Sequence, residues 1–404
     1  MGNGNNIVVV SGVRTPFSKF GGTLREIHST DLGVVVIQES LKRAGLKGED
    51  IDELYYGMCV QAEAALFDNV NGRQALLRAG IPDSVVSLTI DRACCSSLTA
   101  VQLGRRAILL DEADICMAVG AENMSNTPLL INKHRWGAGM APLLVQDYLN
   151  PITYREYAPL GKDAGEIAVE HGISREEQDQ WALGSQKKWL AADQAGRFED
   201  ELVPVQVPQR KGSPIIFSKD EFPKPHTTLE GLAKLQNIYG SPTVTAGNAP
   251  GLDAGAAAVI LMRRSKAEEM GIKPLATIVS VASAASAPRT MAELPGYTIQ
   301  KALKKANLTI DDMKVIEINE AFAAVTLVST KILANHDETK WRQILEKTNP
   351  NGGAIAIGHP VGASGARILM TAMYELRRRG GGYAVCAICG GLAQGDCAII
   401  RVDE

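Results

Sequence analysis

The chain lacks any apolar run approaching the roughly 20 residues of a membrane span, so no membrane-crossing helix is expected. It lacks a large excess of either charge: 42 Lys and Arg stand against 45 Asp and Glu, for a net charge of −3. That balance gives no electrostatic case for nucleic acid or an anionic membrane as a partner. An anionic ligand such as a nucleotide would rely on local cations and backbone amides. It also lacks a second cysteine pair at zinc-ligand spacing, so no metal is expected. The cysteines are odd in number, seven (Cys59, Cys94, Cys95, Cys116, Cys386, Cys389 and Cys397), and a polar opening stands where a secretory leader would. They read as reduced thiols of a cytoplasmic protein, with Cys59 and Cys116 as inert core. Met1-Gly2 opens a myristoylation pattern, but Asn6 occupies the place of the required Ser or Thr.

What is present is 404 residues, 45% apolar and 22% charged, enough for a globular chain of two or three structural units. Strand and helix signals alternate at both ends, the pattern of an α/β domain. A faint repeat organises them. Ile37-Gln38-x-x-Leu41-Lys-Arg-Ala44-Gly45-Leu46 recurs as Ile299-Gln300-x-x-Leu303-Lys-Lys-Ala306-Asn307-Leu308. Each copy reads as an amphipathic helix closed by a Gly or Asn cap and followed by a strand, 53–58 or 314–318. Further on, Cys94-Cys-Ser-Ser-Leu98 and Gly362-Ala-Ser-Gly365 each lead into a helix and then a strand. Duplicated halves place matching loops about a pseudo-dyad, where one site can draw on both. Residues 121 to 247 differ in character, with a charged helix at 174–193 and a Lys/Pro-rich stretch at 219–228. They read as an insertion over the site.

Four segments carry candidate chemistry. Arg92-Ala-Cys94-Cys95-Ser96 sits between a strand and a helix start, where amides and the helix dipole lower a thiol's pKa and hold an oxyanion. The same segment would equally serve as small residues packing helix on sheet. The glycine-rich run 349–365 holds one histidine, His359, ahead of a helix; neither phosphate-loop glycine pattern occurs in it. Glu317-Ile-Asn319-Glu320 follows a buried-type strand, and alone it reads as a helix cap at Asn319. Cys386-Ala-Ile-Cys389-Gly-Gly391 has redox-motif spacing but ends a strand.

Taken together, these segments resemble the thiolase family along nearly the whole chain. Arg14-Thr-Pro16, the Cys94 segment, Gly120-Ala-Glu-Asn-Met-Ser125 and Thr245-Ala-Gly-Asn-Ala249 are similar to its successive signatures. So are Asn319-Glu-Ala-Phe322, Gly358-His-Pro360 and Cys389-Gly-Gly391, in order. The resemblance implies an α/β thiolase fold: two duplicated halves forming a layered αβαβα sandwich with an inserted loop domain. The halves would be residues 1–120 plus 248–270, and 271–404, with 121–247 as the CoA-binding loop domain. It implies reversible CoA-dependent Claisen chemistry on 3-ketoacyl-CoA, with Cys94 as nucleophile, Cys389 as acid/base and His359 as the site histidine. Asn319 would hold a water in the oxyanion site, and the Gly391 and Cys94 amides would hold the tetrahedral intermediate. Leu160, Lys224, Ala246, Pro250, Ala321 and Phe322 would contact substrate or CoA. Acyl-CoA and CoA are the implied partners, with no resident cofactor and a homo-oligomeric assembly.

The chain departs from the family pattern in places. Ser97 replaces a glycine, Cys95 another small residue, and Pro250 a serine that touches the CoA arm. Pro159-Leu160-Gly161 replaces His-Met-Gly of acetoacetyl-CoA-specific members and resembles the broad-range ones. Two rival readings follow. A ketoacyl-synthase-like condensing enzyme would not need Cys389. A catalytically silent thiolase-like subunit would bind acyl-CoA or scaffold a partner.

Overall fold

The computed structural model describes residues 6–61, 68–131, 136–137, 139–140, 142–149 and 154–403. The myristoylation pattern at Met1-Gly2 and the final Glu404 lie outside them. Nine strands make one continuous sheet: β1 Ile7–Arg14, β2 Glu53–Gly57, β3 Val86–Ile90, β4 Ile115–Asn123, β5 Ala254–Arg263, β6 Ala276–Ala285, β7 Met313–Ile318, β8 Gly382–Gly390 and β9 Gln394–Val402. Their order is β7-β8-β9-β6-β1-β5-β4-β2-β3.

The duplication is visible in the pairing. From the outside inward, β2/β4 is parallel, then β4/β5 and β5/β1 are antiparallel. In the other half β7/β8 is parallel, then β8/β9 and β9/β6 are antiparallel. The halves meet where β1 and β6 pair antiparallel over Ile7–Val9 and Ala276–Ile278. The repeated helices are α1 Ser29–Ala44 and, in the second half, Leu294–Ala306. Gly45 at φ 68 and Asn307 at φ 54 close them in the left-handed conformation that glycine adopts freely and asparagine tolerates.

Period-2 alternation decides which core each strand residue joins. Cys116 and Ala118 of β4 face a central core, whereas Ile115, Met117 and Val119 face the outer layer with α1. Ala384, Cys386 and Ile388 of β8 likewise face the centre, and Val385, Ala387 and Cys389 the opposite side. Cys386 and Cys389 therefore point to opposite faces of the strand and form no redox pair. Two helices fill the centre between the half-sheets: α2 Ser96–Leu109 and α3 Ser364–Arg378. Glycine lets their first turns touch, since a Cβ on Gly365 would lie 2.5 Å from the Leu98 amide nitrogen. The Ser97 hydroxyl accepts a hydrogen bond from Ala366 N at 2.9 Å, one of the amides a helix start leaves unpaired. The serine that departs from the family glycine thus joins the two halves at the pseudo-dyad.

Residues between β4 and β5 are tied down through the Arg14 segment. The buried Arg14 guanidinium pairs with Glu201 at 2.7 Å and with both oxygens of Asp220 at 2.7 and 2.9 Å. It lies over the Phe17 and Phe198 rings. The charged helix Arg175–Gln194 begins at Ser174 with a capping box to Glu177.

Candidate active site

Strand β3 hands Cys94 to the site through a tight turn. Asp91 accepts a hydrogen bond from Ala93 N at 2.8 Å and holds Ala93 at φ 48. Ser96 Oγ accepts from Arg92 N at 2.9 Å and donates to the Ala93 carbonyl at 2.6 Å. This strained backbone places the half-buried Cys94 just ahead of α2. The helix end does not lower its thiol. Burial pushes Cys94 up to about 12, Glu122 and Asp91 add to that, and only its own amide opposes. Desolvation and two carboxylates outweigh the helix-end field.

His359 follows Gly358, whose φ of 104 turns the chain towards Asp253, and the His359 amide donates to Asp253 Oδ2 at 2.6 Å. The ring is buried, and burial with the nearby Arg367 charge lowers its pKa to about 3. Its Nδ1 lies 2.7 Å from Ser364 Oγ.

Asn319 caps no helix; the next one, Ala323–Leu333, begins after Phe322. Its Oδ1 accepts from Arg367 Nη2 at 3.2 Å, and Arg367 pairs with Glu317 at 3.4 Å. That bond turns the Asn319 NH₂ towards the His359 ring, 3.5 Å from both ring nitrogens. All four groups are buried. Cys389 is buried at the end of β8, and burial, then the Cys94 thiol, raises its pKa.

One cavity of about 330 Å³ has both Cys94 and His359 in its wall. Leu160, Lys224, Ala246, Pro250, Ala321 and Phe322 line it as well. Lys224 Nζ lies 4.7 Å from the centre of the Phe222 ring. A second cavity of about 340 Å³, lined by Gln186, His226 and Thr228, shares Lys224, Ala246 and Ala249 with the first. Asn319, Cys389 and Gly391 do not belong to the main wall; Asn319 backs His359.

Several residues of the site were not singled out from the sequence. Glu122, fully buried, accepts from the amides of Cys59, Val60 and Gly362 at 2.8–3.0 Å, and burial raises it to about 7. It stands inside the Gly120–Ser125 signature, the one signal that could have found it. Ser364 and Arg367 lie within or just after the glycine run around His359. Glu320, named in the sequence only as part of the Asn319 segment, gathers Trp181, Ser185, Asn349 and the Ile355 amide. Cys59 is half-buried rather than core, 3.8 Å from Ser96 Oγ, and burial, then Glu122 and the Cys94 thiol, raise its pKa, which keeps the thiol protonated. Cys95 is buried with its thiol towards the Ile388 carbonyl at 3.4 Å.

Comparison with known proteins bears on the family. The thiolase N-terminal domain matches residues 7–265 and the thiolase C-terminal domain residues 272–402. An acetyl-CoA acetyltransferase of Syntrophomonas wolfei is 43% identical over 402 residues, 98% of each chain. A beta-ketoadipyl-CoA thiolase of Acinetobacter baylyi is 40% identical over 403 residues, covering 97% of this chain and 98% of that one. The crystal structure of human mitochondrial 3-ketoacyl-CoA thiolase in complex with CoA superposes with a TM-score of 0.91 at 37% identity, over 99% of this chain and 98% of that one. With both halves matched and a thiol and an imidazole in one cavity wall, the chain belongs to the thiolase family.

Proposed function

We propose that the protein catalyses reversible CoA-dependent cleavage and condensation of 3-ketoacyl-CoA, acetoacetyl-CoA or longer, through an acyl group on Cys94. The observation that carries this reading is the single cavity whose wall holds Cys94, His359 and a largely apolar lining. Apolar walls with a few polar groups suit a pantetheine arm. Lys224, at the junction of the two cavities, suits the CoA nucleotide.

In the cleavage direction His359 Nε2 takes the Cys94 proton as the sulfur attacks the keto carbon. The C–C bond breaks, and the acetyl-CoA enolate takes a proton from Cys389. Protonated His359, with Asn319, stabilises the thioester oxygen while that charge develops. CoA then gives its thiol proton to Cys389 and attacks the acyl-cysteine, and the departing Cys94 sulfur recovers its proton from His359. The amides of Cys94 and Gly391 hold the tetrahedral oxyanion. Every proton and electron pair returns, so the cycle uses CoA as cosubstrate and no resident cofactor.

Residues 1–120 with 248–270, and 271–404, serve as the two thiolase halves, and 121–247 as the loop domain that binds CoA. The active form is a homo-oligomer. Support comes from Val86 and Leu88, exposed on the edge strand β3, and from the paired segments Leu129–Ile131 and Val145–Asp147, whose Leu129, Ile131 and Val145 are exposed. Seven unpaired thiols suit a reducing, cytoplasmic setting, and no helix among the described residues is long and apolar enough to cross a membrane.

The test is thiolysis of acetoacetyl-CoA by wild type and Cys389→Ala. Turnover by wild type and its loss in the variant support the reading. Turnover that survives in Cys389→Ala points to a ketoacyl-synthase-like enzyme, and CoA binding with no turnover by wild type to a silent subunit.

A further inference from the structure

Tyr154 approaches the reacting end of the site from outside the wall of the main cavity. Its ring packs on Gly391: a Cβ built there would lie 1.7 Å from the phenol oxygen and 2.4 Å from Cζ. Any side chain at 391 would require the ring to move. The adjoining Gly390 packs on the turn that presents Cys94, because its added Cβ would meet the Arg92 carbonyl at 2.9 Å, Cys95 Sγ at 3.1 Å and Ala93 Cβ at 3.7 Å. The phenol therefore sits on a two-glycine turn that itself sits against the nucleophile's own turn. Burial, and then the Cys94 and Cys59 thiols, raise the pKa of the Tyr154 hydroxyl.

The acyl-cysteine formed at Cys94 has the CoA arm on one side, along Leu160, Ala246 and Phe322. We propose that an acyl chain on Cys94 extends away from that arm towards the Gly390–Gly391 turn, and that the Tyr154 ring on that turn is the specificity-determining end wall that restricts the protein to 3-ketoacyl-CoAs with short acyl groups. This inference rests on the acyl-Cys94 reading and deepens it. A ring that must be displaced costs more with each added methylene, and one methylene in a shaped apolar pocket is worth about 10–200-fold in discrimination.

The experiment compares kcat/KM for acetoacetyl-CoA and 3-ketodecanoyl-CoA in wild type, Tyr154→Phe, Tyr154→Leu and Tyr154→Ala. A ratio of two substrates is independent of how much of a variant is correctly folded. The expected result is a wild-type preference for acetoacetyl-CoA of at least about tenfold, kept in Tyr154→Phe because the ring does the excluding. Tyr154→Leu relaxes the ratio and Tyr154→Ala relaxes it by about tenfold or more. A wild type that takes both substrates equally overturns the inference. So does an unchanged ratio in Tyr154→Ala, which would mean that the chain folds back along Met291 and Val361 instead. A wild type inactive on both substrates would overturn the acyl-transfer reading, and this inference with it.

Discussion

The Ser364 hydroxyl lies 2.7 Å from His359 Nδ1 and 2.9 Å from the Pro360 carbonyl. A carbonyl only accepts, so the single serine hydrogen goes to Pro360, and Ser364 Oγ must accept from His359. The neutral imidazole then carries its hydrogen on Nδ1 and turns the Nε2 lone pair, 3.5 Å from the Asn319 amide nitrogen, to the role of base. Ser364→Ala removes the partner that selects this tautomer. The expected outcome is a fall in kcat of about 10–100-fold with KM little changed, read from steady-state thiolysis.

Cys94 and His359 rest as thiol and neutral imidazole, because burial raises the one to about 12 and lowers the other to about 3. No thiolate–imidazolium pair is stored, so proton transfer accompanies attack. Alkylation of Cys94 by iodoacetamide should climb about tenfold per pH unit from pH 7 to 10 without levelling. A plateau below pH 8 would reveal a preformed ion pair.

Arg14 holds residues of two distant segments at once, Glu201 and Asp220. Truncating it leaves two buried carboxylates facing an empty space. Breaking a buried pair in this way costs about 3–5 kcal/mol, so Arg14→Ala should lower the denaturation midpoint by that equivalent. Denaturant titration followed by fluorescence checks it, and a loss under about 1 kcal/mol would contradict the structural role given to the Arg14-Thr-Pro segment.

Asp253 is buried, and burial raises its carboxyl to about 7, against the counteracting His359 amide and Lys224 charge. The folded chain therefore keeps a proton that the unfolded chain has released above about pH 4. The resulting stabilisation is fully present below that pH and is lost as pH rises through 7. Asp253→Asn retains an oxygen for the His359 amide and has nothing to ionise. Its melting temperature should gain on wild type between pH 5 and pH 8 by several degrees, at roughly 2–4 °C or less per kcal/mol. A constant difference across that range would show that Asp253 does not titrate there.

The duplication was legible because each copy writes its helix face and its cap locally: Gln38 to Gly45 and Gln300 to Asn307 need no tertiary information. Cys94, His359 and the six cavity residues were legible only through resemblance, since each alone fits packing as well as chemistry. The partners of Arg14 were not legible, because an ion pair between residues some two hundred positions apart leaves no periodic trace. The same holds for Glu122, whose three amide donors come from two remote loops. Tyr154 sits in a stretch without pattern and acquires meaning only from the glycine beneath it. The Cys94 thiol was misjudged for a physical reason: a helix start can be read from sequence, but the depth of burial that outweighs it cannot. For Cys59 only the depth was misjudged, its apolar neighbours masking a half-buried position at the site.

The most direct measurement is the intact mass of the protein quenched after mixing with acetoacetyl-CoA in the absence of CoA, with peptide mapping and Cys94→Ala as control. The account predicts an acetyl adduct on Cys94 that disappears when CoA is added and never forms in Cys94→Ala. No adduct on a protein that turns over once CoA is supplied, or an adduct on Cys59, Cys95 or Cys389 instead, would contradict it.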